Sequence, residues 1–211
     1  MVKAALRAGI EVVRADPGRL REIPRGAAHQ GVAALVCAYA YADFDELIAA
    51  KPACLLLADQ VTDPRNLGAI VRSAEGAGVG GIVLPRDRSA GVTPVTSKAA
   101  AGATSFLPVA RVTNVARALE ELKRAGYWVV GLDSAAPQAV FDFSFPEPCT
   151  LVVGSEGRGL RPLTRSLCDV LISIPMLGRV ESLNVSVAAA VALYERVRQQ
   201  RKGPSTVASQ D

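Results

Sequence analysis

The stretch Leu171–Val187, LISIPMLGRVESLNVSV, decides how the chain is read. Leu171–Ile174 reads as a short buried strand, and Pro175, which has no N–H for a ladder bond, ends it. Met176–Glu181 is then a loop with one turn-permitting glycine, Gly178. Ser182 reads as a helix N-cap, followed by Leu183, Val187, Ala190, Val191 and Tyr194 at helical spacing. Polar Ser182 and Asn184 therefore stand at a helix start just past the end of a buried strand. Open α/β sheets bind their ligands at such places.

Upstream of this stretch the pattern is regular. Leu55–Ala58, Ile82–Leu84, Phe106–Val109, Trp128–Gly131 and Leu151–Val153 read as further apolar strands. Pro64–Gly78, Val95–Ala103, Val115–Ala125, Leu160–Leu167 and Ser182–Gln200 read as helices between and after them. Continuous apolar strands alternating with helices predict an α/β fold, a parallel sheet with helices on both faces. Residues 1–50 are less regular. Val2–Arg7 reads as a helix, Ile10–Val13 and Val32–Val36 as strands, and Asp43–Ala50 as a short helix or linker. Gly203-Pro204 stops the last helix, and 203–211 is expected to be a disordered tail.

Composition narrows the function classes. The chain has 211 residues, half of them hydrophobic, which suits one moderate domain or one domain plus a remnant of another. A net charge of +4 permits a nucleic-acid partner without requiring one. The four cysteines form no close pair and His29 is the only histidine, which argues against a metal site and against a disulfide framework. A reduced, cytoplasmic setting follows. No apolar run is long enough to span a membrane.

Three constellations carry polar groups at strand ends. In DQVTDPRNLGAIVRS, Asp59–Ser73, Asp63 caps a helix with Pro64 at its first position, and Asn66 lies in the first turn. Leu67, Ile70, Val71 and Ala74 form its core stripe. Arg72 has Gly68, Ala69 and Gly76 beside it, small neighbours that admit a close approach to its guanidinium. From pattern alone the exposed helix arginine is the favoured reading, since most surface charges are only solvated. In LVVGSEGRGL, Leu151–Leu160, a buried strand enters three glycines around Ser155 and Glu156, either a ligand loop or a tight strand–helix turn. No dinucleotide fingerprint is present, which disfavours an ordinary nucleotide-binding enzyme. The third constellation is the opening stretch, in which Ser182 is either part of a site or only a cap.

In this order and spacing the three resemble the motifs of the SpoU (TrmH) family of RNA 2′-O-methyltransferases, over roughly 53–200. Asn66 and Arg72 match the first motif, Gly154 and Glu156 the second, and Ser182 and Asn184 the third. Ala27–Val32, AAHQGV, and DQVTDPRNLGA are most similar to the branch acting on a guanosine of large-subunit ribosomal RNA. The resemblance implies a C-terminal trefoil knot, which periodicity does not predict. It implies S-adenosylmethionine held largely by backbone groups of Gly154, Ile174 and Leu183, with Met176 nearby. It also implies a homodimer with its site near the subunit interface, and no metal. Arg72 would act on the ribose hydroxyl, as a base or by electrostatic stabilisation. Asn66 and Glu156 would position Arg72 or the ribose, while Ser182 and Asn184 shape the site. A transfer-RNA target and a non-catalytic RNA-binding role remain the alternatives. The same branch begins with an L30e-like RNA-binding domain, of which Val2–Val36 matches only the last part, as in a fragment or a late start. The expected organisation is therefore 1–50 as a remnant of that domain plus linker, 51–202 as the methyltransferase domain, and the tail. Val185, Ala188, Ala189 and Ala192 are the expected small-residue dimer face of the last helix.

Overall fold

The computed structural model describes residues 2–22 and 31–202. His29 and most of AAHQGV lie outside them, as does the 203–211 tail. The chain divides into two compact units, Met1–Ala38 and Tyr39–Asp211. The first holds two short helices, α1 (Val2–Arg7) and α2 (Pro17–Glu22). Ile10–Val13 and Val32–Val36, expected as strands, are not strands: among the described residues no strand pairs with them, and Ile10, Val13, Leu35 and Val36 are exposed.

The second unit opens with α3 (Phe44–Ala49), whose cap Asp43 accepts from the backbone N–H of Asp45 and Glu46. The sheet follows, built from β1 (Cys54–Ala58), β2 (Ile82–Pro85), β3 (Val109–Val112), β4 (Trp128–Leu132), β5 (Gln138–Ala139), β6 (Cys149–Val153) and β7 (Val170–Ser173). Among the described residues it has seven strands, all parallel, in the order β3-β2-β1-β6-β4-β7-β5. The helices are α4 (Pro64–Gly76), α5 (Pro94–Ala99), α6 (Val115–Arg124), α7 (Pro162–Leu167) and α8 (Val185–Lys202). Every residue of β1 and β6 is buried, because helices cover both faces of these central strands. A fully buried leucine such as Leu56 or Leu151 contributes about 1.5–3 kcal/mol.

Several boundaries differ from the sequence reading, each for a local reason. The helix expected over Val95–Ala103 ends at Ala99, because Ala101 and Gly102 take positive φ (50° and 95°). The strand expected at Phe106–Val109 starts only at Val109, because Phe106 and Leu107 close a turn on the Ala103 carbonyl. The helix expected from Leu160 starts at Pro162, with Arg161 still extended. The two-residue strand β5 went unread, being too short for any alternation to register.

The last helix carries the largest correction. Val185, Ala189, Ala192 and Leu193 are its buried apolar residues, with Glu195 and Arg196 buried further along, whereas Val187 and Tyr194, expected in the core stripe, are about half exposed. Nearly every position from 185 to 193 is small or apolar, so several stripes fit the period and sequence alone chooses wrongly between them. Val185, Ala189 and Ala192 therefore pack inside the protein and are not a free face. The glycines of α4 have a similar explanation. A Cβ on Gly68 would lie 2.5 Å from the Thr96 carbonyl oxygen and from the Ala99 side chain, and one on Gly76 would lie 3.0 Å from the Tyr194 hydroxyl. These small residues let α5 and α8 approach α4.

Candidate active site

The strand order reverses beside β1: β2 and β3 lie to one side of it, while β6 separates it from β4. Such a switch point opens a crevice at the strand C-termini. The loops after β1, β4, β6 and β7 all end there.

The loop after β6 is closed on itself. Ser155 and Gly159 exchange backbone hydrogen bonds of 3.0 Å in both directions. Gly157 and Gly159 have φ of 78° and 64°, which only glycine adopts without strain. Gly154 is needed for a different reason: a Cβ there would lie 2.1 Å from the backbone carbonyl of Gly159. The three glycines thus make a tight ring that presents Glu156 at its rim.

The loop after β7 behaves in the opposite way. Among the described residues, Ile174–Leu183 make no backbone hydrogen bond to any other segment. The loop's N–H and C=O groups are thus free for water or for a ligand. It borders a cleft of about 240 Å³ lined by Gly154, Glu156, Ile174, Met176, Ser182 and Leu183. Leu132, Asp133 and Ser134 complete the wall from the end of β4. Sequence reading missed these three, although LDS directly follows a buried strand, the same signal that marked the other loops.

Helix α8 starts at Val185, so Ser182 is not its cap. Asn184 is: its Oδ1 accepts from the Ser186 backbone N–H (3.0 Å) and from the Ser186 hydroxyl (2.6 Å). Its Nδ2 donates to Oδ1 of Asn66 (3.1 Å) and to Oε1 of Glu156. One carboxamide therefore ties together all three constellations. Asn66 reaches it because Asp63 caps α4, accepting from the Arg65 N–H at 2.8 Å, and this sets the first turn. With its Oδ1 engaged, Asn66 turns its two N–H donors away from Asn184, and Glu156 keeps its second oxygen open.

Arg72 stands apart from this cluster. It lies six residues beyond Asn66, about 9 Å along the axis and roughly 120° around it. It is exposed and makes no hydrogen bond or ion pair among the described residues. Ser182 lines the cleft and is likewise exposed.

Behind the site lies a clamp to which sequence reading assigned no role. Asp59, fully buried at the end of β1, receives Nε of Arg161 (2.9 Å) and the Thr164 hydroxyl (2.7 Å) on Oδ2, with Nη2 of Arg161 2.8 Å from Oδ1. It fastens the loop before Asn66 to the end of the loop that bears Glu156. Among the described residues, no group of three or more His, Cys, Asp or Glu side chains gathers to hold a metal.

The cleft residues fit S-adenosylmethionine. Apolar Ile174, Met176 and Leu183 suit an adenosine, free backbone groups suit its polar edges, and Asp133, Glu156 and Glu181 outnumber Arg158 in the lining, leaving net negative charge for a sulfonium.

Comparison with known proteins agrees. The SpoU rRNA Methylase family model matches residues 53–194. The 23S rRNA (guanosine-2′-O-)-methyltransferase RlmB of Ralstonia nicotianae is 47% identical over 207 residues, spanning 97% of this chain and 83% of that protein. Its namesake in Neisseria meningitidis is 41% identical over 203 residues, 95% of this chain and 81% of that one. The crystal structure of the SpoU methyltransferase AviRb from Streptomyces viridochromogenes in complex with AdoMet superposes with a TM-score of 0.65 at 37% identity, covering 71% of this chain and 58% of that chain. Family match, parallel α/β fold and three joined motif loops lead to one conclusion: this chain belongs to the SpoU rRNA methylase family.

Proposed function

We propose that the chain transfers a methyl group from S-adenosylmethionine to the ribose 2′-hydroxyl of a guanosine in 23S ribosomal RNA, the reaction for which its Ralstonia and Neisseria relatives are named. The observation that carries this reading is the Asn184 carboxamide holding Asn66 and Glu156 together at the rim of the cleft. When bound, S-adenosylmethionine supplies an electrophilic methyl group. Backbone groups of Gly154, Ile174 and Leu183 hold it, with Met176 against it. The free N–H donors of Asn66 and the free oxygen of Glu156 orient the ribose, and Ser182 closes the third side. Arg72 stabilises the negative charge that develops on the 2′-oxygen as the methyl group arrives and the hydroxyl proton passes to solvent water.

The reading extends to assembly. The exposed side chains of Val187 and Tyr194 on α8 adjoin α4, the helix of Arg72, through the contact of Tyr194 with Gly76. A homodimer through this face would bury them and place Arg72 at the interface. The C-terminal trefoil knot belongs to the same proposal. It is supported by the way the end of α8 is bound to the segment before β6, through Arg196 to Glu147 (2.6 Å) and Gln199 to the Phe143 carbonyl (2.7 Å). Residues 1–50 are proposed as an L30e-like RNA-binding segment with its linker. A cytoplasmic location fits an RNA substrate, and among the described residues no helix is long and apolar enough to cross a membrane.

The test is nucleoside mass spectrometry after incubating the protein and S-adenosylmethionine with large-subunit ribosomal RNA or with transfer RNA. 2′-O-Methylguanosine appearing in the ribosomal RNA is the expected result. A methyl group found only in transfer RNA replaces the substrate, and methylation of neither removes the enzymatic reading.

A further inference from the structure

A second, larger cleft of about 670 Å³ opens at the C-terminal ends of β1, β2 and β3, against α6 and the start of α7. It shares no residue with the first. Yet it is bordered by the same two loops, through Gln60 after β1 and Arg161 after the glycine ring, and the Asp59 clamp joins them.

Its lining mixes apolar walls with open hydrogen-bonding groups. Pro85 and Val115 are buried, and Leu163 is 61% exposed. Among the described residues the Gln60 side chain has no hydrogen-bond partner, so its amide offers both a donor and an acceptor. Asn114 uses its Oδ1 to cap α6 and keeps its N–H₂ group open. Arg88 contributes an exposed planar guanidinium. The charges nearly balance, since Asp87 lies beside Arg88 and Asp59 neutralises Arg161. A phosphate site would carry a positive excess. A near-neutral cleft with aliphatic walls, amide groups and a guanidinium plane suits a nucleobase, which stacks on the guanidinium and pairs along its edge.

The backbone points the same way. Gln60 and Arg88 have φ of 62° and 56°, two of only four non-glycine residues with positive φ among those described. Such strain collects where the surrounding structure holds a residue for use.

We propose that this second cleft receives an unstacked nucleobase of the RNA, from a nucleotide flanking the methylated ribose. The inference rests on the RNA methyltransferase reading above and adds where the strand beside the target is gripped. A base read here would supply selectivity that the 2′-hydroxyl, the same on every nucleotide, does not carry.

The test compares the full chain with two variants. Ala116→Trp fills the cleft from α6, and Gln60→Gly removes the amide at a position whose backbone glycine adopts freely. Affinities are measured for S-adenosylmethionine, for an in vitro transcript of large-subunit ribosomal RNA, and for a blunt duplex RNA with no unpaired base. Each variant is expected to bind the transcript at least fivefold more weakly while its affinity for S-adenosylmethionine stays within twofold. Should Ala116→Trp not fold, Gln60→Gly alone decides. A smaller loss, or an equal loss for transcript and duplex, overturns the proposal. Because affinity is read apart from turnover, unchanged RNA binding with intact methyl transfer removes only the cleft. Absent methyl transfer with selective loss of transcript binding removes only the reaction.

Discussion

At the scale of single residues, Asn184 concentrates the most structure in the fewest atoms. Its oxygen ends one helix and its nitrogen joins two other loops. Asn184→Asp keeps the cap but replaces the donor with a third acceptor facing Asn66 and Glu156. Losing a buried or charge-assisted bond of this kind costs about 1–3 kcal/mol, which corresponds to roughly ten- to hundredfold in rate. Single-turnover methyl transfer is expected to fall by that amount, with native helix content by circular dichroism. Arg72 has the opposite character, exposed and free of partners. Arg72→Ala is expected to abolish transfer while S-adenosylmethionine affinity, measured by calorimetry, stays within a few-fold. Near-native turnover would remove Arg72 from the mechanism. The residues of this cluster were legible in sequence, because each follows a buried strand or opens a helix. The division of roles between Ser182 and Asn184 was not. Serine and asparagine cap equally well, and only the hydrogen bond from Ser186 separates them. Cys168 gives a further check: burial pushes its thiol up to about 12. The unfolded chain then ionises this thiol at lower pH than the folded one does. Cys168 therefore contributes stability that is complete below the ordinary thiol range and falls as pH rises towards 12. Cys168→Ser should flatten the decline in unfolding free energy above pH 9, measured by urea titration.

At the scale of elements, the glycine ring after β6 is the part least tolerant of change. Gly154→Ala forces a Cβ to within 2.1 Å of the Gly159 carbonyl, so the ring must open or shift. Overpacking of this kind costs about 1–3 kcal/mol. Both a lower thermal midpoint and a loss of S-adenosylmethionine affinity are expected. Unchanged affinity would mean that the ring does not hold the cofactor. The central strands were legible because burial on both faces leaves them uniformly apolar, as in Cys54–Ala58 and Cys149–Val153. Helix α4 was legible because its stripe of Leu67, Ile70, Val71 and Ala74 stands out against polar residues, and all four are buried. Helix α8 offered no such contrast, and its inward face was read one step out of phase. The short turns after α5 depend on left-handed backbone at Ala101, a residue that gives no sign of it in sequence.

At the scale of the whole molecule, that corrected phase changes the assembly argument. With Val185, Ala189 and Ala192 inside, the face left for a second copy is the one bearing Val187 and Tyr194. Val187→Asp with Tyr194→Asp is expected to give a monomer by sedimentation at tens of micromolar, with methyl transfer lost and the fold retained. A native chain that sediments as a monomer would end the dimer proposal.

The order of the strands has one more consequence, for synthesis. Strand β1 pairs on one side with β2, which follows soon after it. On the other side it pairs with β6, which begins about ninety residues later. At ribosomal speeds of about 5–20 residues per second, that edge waits roughly 5–20 seconds for its neighbour. During that interval a wholly apolar strand presents unpaired main chain, a template for pairing with another nascent chain. The polypeptide is therefore most exposed to aggregation just before its sixth strand leaves the ribosome.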